Sequence, residues 1–197
     1  ACNLRCKHCY HPHHRDAGAL SVEGWKQILG QYQALLRKLG RSPQLILCGG
    51  EPLISPKLGP ILAHAVELGL TQRLLILTNG TLTQSIDCAL FRKFSHVAFQ
   101  ISLDGHDQAS HDGVRGAGTF EAAARGARRL LAEGFDLHLQ CTISRRNAAL
   151  IPSFFDLAAE WGATRMEFTR LIPVGQAQGL TARGEDRVLA PHELRNA

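Results

Sequence analysis

The sequence predicts an α/β fold built on parallel strands, on three observations. Short, nearly continuous apolar runs begin near residues 44, 74, 97, 136 and 165. Segments with helical apolar spacing lie between them. The chain of 197 residues, 45% hydrophobic and 20% charged, suits one globular domain. Strands that read apolar throughout belong in a parallel sheet covered by helices, and parallel neighbours need a crossover between them. The pattern alone leaves a doubly wound sheet and a (β/α) barrel open.

The elements follow in order. Val22, Trp25, Ile28, Leu29, Tyr32, Leu35, Leu36 and Leu39 recur at helical spacing, with Ser21 as N-cap and Gly40 as stop. Gln44 to Cys48 reads as a strand, Leu58 to Leu68 as a helix ended by Gly69, and Leu74 to Leu77 as the next strand. Thr83 or Gln84 is expected to open a helix reaching Phe94. Val97 to Ser102 is a strand, and Thr119 is expected to cap a helix over Phe120 to Glu133. Phe135 to Ile143 is a strand, Asn147 to Trp161 a helix interrupted near its start by Pro152, and Arg165 to Phe168 the last strand. Beyond Gly175 the chain turns polar, with one weak helix expected.

Composition excludes several classes. The net charge is +5, but the basic residues are scattered and aromatics make up only 6%, which argues against a nucleic-acid partner. Apolar runs such as Leu74 to Leu77 are far too short to span a bilayer, so no membrane partner is expected. Six cysteines are too few for a disulfide scaffold of this length. Cys48, Cys88 and Cys141 sit singly in apolar stretches and are expected to be small buried side chains.

The other three crowd together as Cys2-Asn-Leu-Arg-Cys6-Lys-His-Cys9. Three thiolates on one tight loop can hold three irons of a [4Fe–4S] cluster and leave the fourth open to a ligand. A zinc knuckle is the alternative, with His8, His11, His13 or His14 as fourth ligand. In either α/β architecture, ligands gather at the carboxyl ends of the strands. Those ends carry Gly49-Gly50-Glu51-Pro52, Thr78-Asn79-Gly80, Ser102-Leu103-Asp104-Gly105, Ser144-Arg145-Arg146-Asn147 and Thr169-Arg170. Bland readings stand beside these: turns at the glycines, caps at Ser102 and Asp104, and a solvated polar loop at Asp107, His111 and Asp112.

The cysteine loop, Gly-Gly-Glu-Pro, Thr-Asn-Gly and Ser-Leu-Asp-Gly, in this order at successive strand ends, resemble the radical S-adenosylmethionine (SAM) enzymes. The resemblance runs from Cys2 to about Ala177. It implies a partial (β/α)6 TIM-like barrel, with the first strand expected ahead of Ala1. It also implies a reductive cleavage of SAM to a 5′-deoxyadenosyl radical that abstracts substrate hydrogen. Cys2, Cys6 and Cys9 would ligate the cluster, and SAM would chelate its open iron. The backbone of His8 would contact the adenine. Gly49 and Gly50 would admit the methionine end, and Glu51 would accept a hydrogen bond from its amino group. Thr78 and Asn79 would help fix SAM, Ser102 would contact ribose or carboxylate, and Arg145 would pair with the carboxylate, with Arg115 as rival.

Arg170-Leu-Ile-Pro-Val-Gly-Gln-Ala177 resembles the segment leaving the barrel in the SPASM/twitch-associated subgroup. That implies a radical SAM core over 1–177 and a polar segment, 178–197, leading to a domain outside this chain. It also implies a peptide or protein side-chain substrate, or a small molecule, and an external electron donor such as ferredoxin or flavodoxin. An oxygen-sensitive cluster would need a reducing cytoplasm. The alternatives are a haem or tetrapyrrole biosynthesis enzyme of the same class, and a non-catalytic zinc or iron–sulfur module.

Overall fold

The computed structural model describes residues 1–11 and 19–195. Five strands form one parallel sheet: β1 (Gln44–Leu47), β2 (Arg73–Thr78), β3 (His96–Ser102), β4 (Asp136–Ile143) and β5 (Arg165–Arg170). Their spatial order is their sequence order, and every neighbouring pair is parallel. A doubly wound sheet would reverse order at a switch point; this one does not, and it is part of a (β/α) barrel. The helices are α1 (Val22–Leu39), α2 (Leu58–Glu67), α3 (Gln108–Arg115), α4 (Thr119–Ala132), α5 (Ile151–Glu160), α6 (Gln176–Ala182) and α7 (Pro191–Arg195). Among the described residues no helix is long and apolar enough to cross a membrane.

Register divides the sheet into two faces. Ile76 pairs with Phe99 and Phe99 with Leu137, all buried on the helix-covered face. Phe91 and Phe135 close on Phe99 at ring-centroid distances of 5.4 and 5.3 Å, the first edge-to-face and the second tilted. The opposite face carries Leu77 beside Gln100 and Ser102 beside Gln140. Polar side chains on that face are what a ligand-lined barrel interior needs.

Three local expectations are corrected. Residues 83–94 form two single 3-10 turns, Thr83–Ser85 and Phe91–Lys93, rather than a helix. The carbonyls of Gln84 and Ile86 are taken by the Arg129 guanidinium of α4, not by a following helical turn. Helix α4 approaches so closely that a Cβ on Gly126 would collide with the Gly80 carbonyl. Second, Asp107, His111 and Asp112 are not a solvated loop. Asp107 caps α3 in a reciprocal capping box with Ser110, and His111 is buried inside that helix. Third, Thr119 lies inside α4, whose N-terminus is capped from α3: Asp112 accepts from Gly118 N at 2.6 Å and Phe120 N at 2.9 Å.

Smaller differences lie at the ends. Helix α5 starts at Ile151 after a 3-10 turn at Ala148–Leu150, because Pro152 fits only the first helical turn. Past Gly175 there are two short helices, and residue 177 falls inside α6. Leu180 and Leu189 are buried, and Ser144 Oγ donates to Asp186 at 2.6 Å. The segment after 177 therefore packs across the end of β4.

Candidate functional site

The cysteine loop lies over the carboxyl ends of the strands and is fastened at four points. The Ala1 carbonyl accepts from Glu51 N at 2.9 Å. Asn3 donates to Thr81 Oγ1 at 2.9 Å and accepts from Asn79 Nδ2 at 2.8 Å. Lys7 N donates to the Val114 carbonyl of α3 at 2.9 Å, and Gln176 N donates to the Cys9 carbonyl at 2.8 Å. Gly50 has to be glycine, because a Cβ there would run into the Ala1 carbonyl. Gly49 has φ +135°, a conformation that strains any other residue.

Glu51 is 2% exposed, and its carboxylate is engaged by the protein. Oε1 accepts from Leu53 N at 3.1 Å and Thr78 Oγ1 at 2.8 Å, and Oε2 from Asn79 N at 2.8 Å. Burial pushes its pKa up against these three donors. The carboxylate does not line the cavity. It ties the end of β1 to the end of β2 through these bonds.

Asp104 is the second fixed point. It is 3% exposed at the end of β3. Oδ2 accepts from Arg115 Nε at 2.5 Å and lies 3.2 Å from His8 Nε2, while Oδ1 accepts from Thr142 N at 3.0 Å. Burial alone would raise its pKa, but Arg115 and His8 hold it down to about 2. Burial lowers the pKa of His8, and that of His111 to about 4, so the His111 imidazole is neutral at pH 7. His111 Nδ1 accepts from Asp104 N at 3.3 Å.

Between these points opens a cavity of about 330 Å³, within the size of small-molecule sites. Cys2, Cys6 and Cys9 all line it as free thiols. Burial pushes the Cys6 thiol up, and the Arg115 cation opposes that shift. His8, Gly49, Gly50, Thr78, Asn79 and Ser102 line it too. Arg115 does so while only 9% exposed. Arg145, its rival, is exposed and does not line the cavity; its backbone N–H donates to the Arg187 carbonyl.

The donor set fits an iron–sulfur cluster. Three thiols ring a space large enough for a further ligand. Among the described residues, no three Cys, His, Asp or Glu side chains close on a single metal-ion position. His13 and His14 lie outside the described residues.

Other residues went unread in the sequence. Cys48 is exposed and lines the cavity, against the expectation of burial, because β1 ends at Leu47 and leaves it at the mouth. Cys88 and Cys141 are buried as expected. Gln140 and Thr142 line the cavity from β4. Their signal was the alternation of His138, Gln140 and Thr142 with buried Leu137, Leu139 and Cys141. No local pattern marked Asn3, whose partners lie more than seventy residues away.

A parallel partial barrel with three cysteine thiols on one loop over its carboxyl-end mouth defines the scaffold of a cluster-dependent enzyme. The family model described as the Radical SAM superfamily matches residues 1–145, and the chain belongs to that superfamily. The family works with a [4Fe–4S] cluster and SAM. The chain is 30% identical over 196 residues to an AdoMet-dependent heme synthase of Nitratidesulfovibrio vulgaris, covering 98% of this chain and 50% of that protein. It is 32% identical over 184 residues to the mycofactocin maturase MftC of Mycobacterium tuberculosis, covering 92% and 45%. In fold it resembles Streptococcus suis SuiB bound to its precursor peptide SuiA, with TM-score 0.70, 20% identity, and 87% and 37% of the two chains covered. It also resembles anSMEcpe with bound AdoMet, with TM-score 0.68, 20% identity, and 87% and 47% covered. The chain thus spans half or less of the length of each of these proteins.

Proposed function

We propose that this chain is the SAM-cleaving core of a longer radical SAM enzyme that oxidatively modifies a peptide or protein side chain. The observation that carries this reading is the convergence of Cys2, Cys6 and Cys9 on one cavity that Ser102 and Arg115 also line. When bound, the cluster supplies the electron that splits the sulfonium C–S bond to methionine and a 5′-deoxyadenosyl radical, which removes hydrogen from substrate.

The chain's own residues hold and orient. The three cysteines ligate the irons. Gly49 and Gly50 let the backbone approach the methionine end without a side chain in the way. Thr78, Asn79 and Ser102 offer polar groups along the cavity wall. Arg115, and not Arg145, pairs with the SAM carboxylate: its Nε is fixed by Asp104, and the planar fork suits a carboxylate. The His8 imidazole is held by Asp104, which leaves its backbone for the adenine. Glu51 acts indirectly, by holding the ends of β1 and β2 together.

The peptide reading is supported by structural neighbours solved with peptides, SuiB with its precursor peptide SuiA and anSMEcpe with the Kp18Cys and Cp18Cys peptides, and by a relative named as a maturase, MftC. A tetrapyrrole substrate is the second reading. It is favoured by relatives named AdoMet-dependent heme synthase and by an Fe-coproporphyrin III synthase of Methanosarcina barkeri, 36% identical over 182 residues. Residues 1–177 form the core on this proposal, and the segment from 178 leads to a further domain. An external donor such as ferredoxin or flavodoxin supplies the electron, in the reducing cytoplasm. The test feeds the full-length, cluster-loaded enzyme either a short precursor peptide encoded beside it or iron coproporphyrin, and follows the mass of each. A mass change in the peptide supports the leading reading. Loss of carboxyl groups from the porphyrin alone would replace it with the second.

A further inference from the structure

The Cys6 side chain stands between two openings. One is the cavity described above. The other is a cleft of about 260 Å³ lined by Arg5, Cys6, Lys7, Gln176 and Arg183. Among the described residues Cys6 is the one that lines both. On the reading of Cys6 as a cluster ligand, the cleft would give access to the Cys6 residue from outside the cavity assigned to SAM.

The wall of this cleft is cationic. Arg5 and Lys7 are exposed, and neither side chain forms an ion pair among the described residues. Arg183 faces the cleft while its Nε bonds Glu185. The charges of Lys7 and Arg146, with that of Arg183, also act on Glu185 and help hold its carboxyl below the usual range. Of the three cations that line the cleft, Arg183 is paired with Glu185, while Arg146 outside it is paired with Asp186. These flexible, solvated side chains would not build a tight small-anion pocket. They suit long-range steering and a brief encounter between proteins.

We infer that this cleft is the docking surface of an acidic electron-donor protein whose redox group lies near its own surface. The inference rests on the reading of Cys2, Cys6 and Cys9 as cluster ligands. The step it serves is a single electron transfer. The donor's reduced group would be oxidised by one electron, and Cys6 would pass that electron to a cluster held by the three cysteines. No bond is made or broken, and no proton need move.

The test uses the full-length holoenzyme and flavodoxin, an acidic protein, as probe. Arg5→Glu/Lys7→Glu is expected to lower flavodoxin-driven 5′-deoxyadenosine formation by about tenfold or more at subsaturating flavodoxin. With dithionite, a small reductant that needs no docking, its rate is expected to stay within about twofold, with iron content and SAM affinity retained. Calorimetric titration with oxidised flavodoxin reads docking without turnover. Binding to the unmodified enzyme should weaken as salt rises from about 50 to about 300 mM, and should be lost in the variant. The milder Arg5→Gln/Lys7→Gln, which serves should the reversal misfold, should lie between. Equal flavodoxin-driven rates, or equal flavodoxin affinity, in variant and unmodified enzyme would overturn the inference. No 5′-deoxyadenosine from the unmodified enzyme even with dithionite would overturn the cluster reading, and the inference with it.

Discussion

Asp104 Oδ2 accepts the Arg115 Nε–H at 2.5 Å, with both side chains almost wholly out of solvent. The pair joins the end of β3 to the last turn of α3, and His8 attaches the cysteine loop to the same oxygen. One carboxylate thus aligns the loop that carries the thiols with the cation that faces the cavity. Breaking such a pair by removing one partner leaves an uncompensated buried charge.

Asp104→Ala should therefore lower stability by roughly 3–5 kcal/mol, read from urea denaturation at pH 7. The pH dependence has a definite sign. The folded pKa of about 2 lies below the value of about 4 expected for an unfolded chain. The stabilisation from this group is complete above pH ~4 and is lost as pH falls from there towards 2, by an amount on the order of 2 kcal/mol. Asp104→Asn should flatten that acid limb. An unchanged limb would assign it to other carboxylates.

Arg115→Lys keeps a positive charge but loses the Nε donor and the planar fork. SAM affinity, measured by calorimetry on the cluster-loaded enzyme, should fall by about tenfold or more. Arg145→Ala, at an exposed position outside the cavity, should change it by less than about twofold. The reverse ranking would restore Arg145 as the carboxylate partner.

Glu51→Gln replaces an acceptor that serves three donors with a group that can serve only some of them. A cost of about 1–3 kcal/mol follows, read as a lower thermal midpoint. The loss should appear in protein without cluster or SAM, because the bonds are internal. A stability unchanged in apo protein, with only SAM affinity reduced, would give Glu51 a direct contact with the ligand.

Gly50→Ala brings a Cβ against the Ala1 carbonyl and should push the cysteine loop off the barrel mouth. Iron retained after anaerobic reconstitution and desalting should drop well below one cluster per chain. Full retention would mean that the loop tolerates the displacement.

The parallel α/β class, the five strands and the six cavity-lining glycine and side-chain positions from His8 to Ser102 were legible in the sequence. Strand periodicity and motif order are local signals, and they survive folding unchanged. What was illegible depends on contacts between distant segments. The stretch 83–94 has helical composition, but Arg129 takes its carbonyls and Gly126 crowds it. Glu51 sits in Gly-Gly-Glu-Pro after β1, and its carboxylate bonds the end of β2, a partner that no spacing rule connects to it. Arg145 and Arg115 both follow strand motifs, and only the placement of α3 against β3 separates them. Cys48 looked apolar in context, and a one-residue difference in where β1 ends exposes it.

The most direct test of the whole account is one anaerobic assay. The full-length protein is reconstituted with iron and sulfide, mixed with SAM and dithionite, and analysed for 5′-deoxyadenosine by mass spectrometry. The account predicts formation of that product and its loss in the Cys2→Ala/Cys6→Ala/Cys9→Ala variant. No product from a protein that holds iron or zinc indifferent to added SAM would contradict it and leave a non-catalytic metal module.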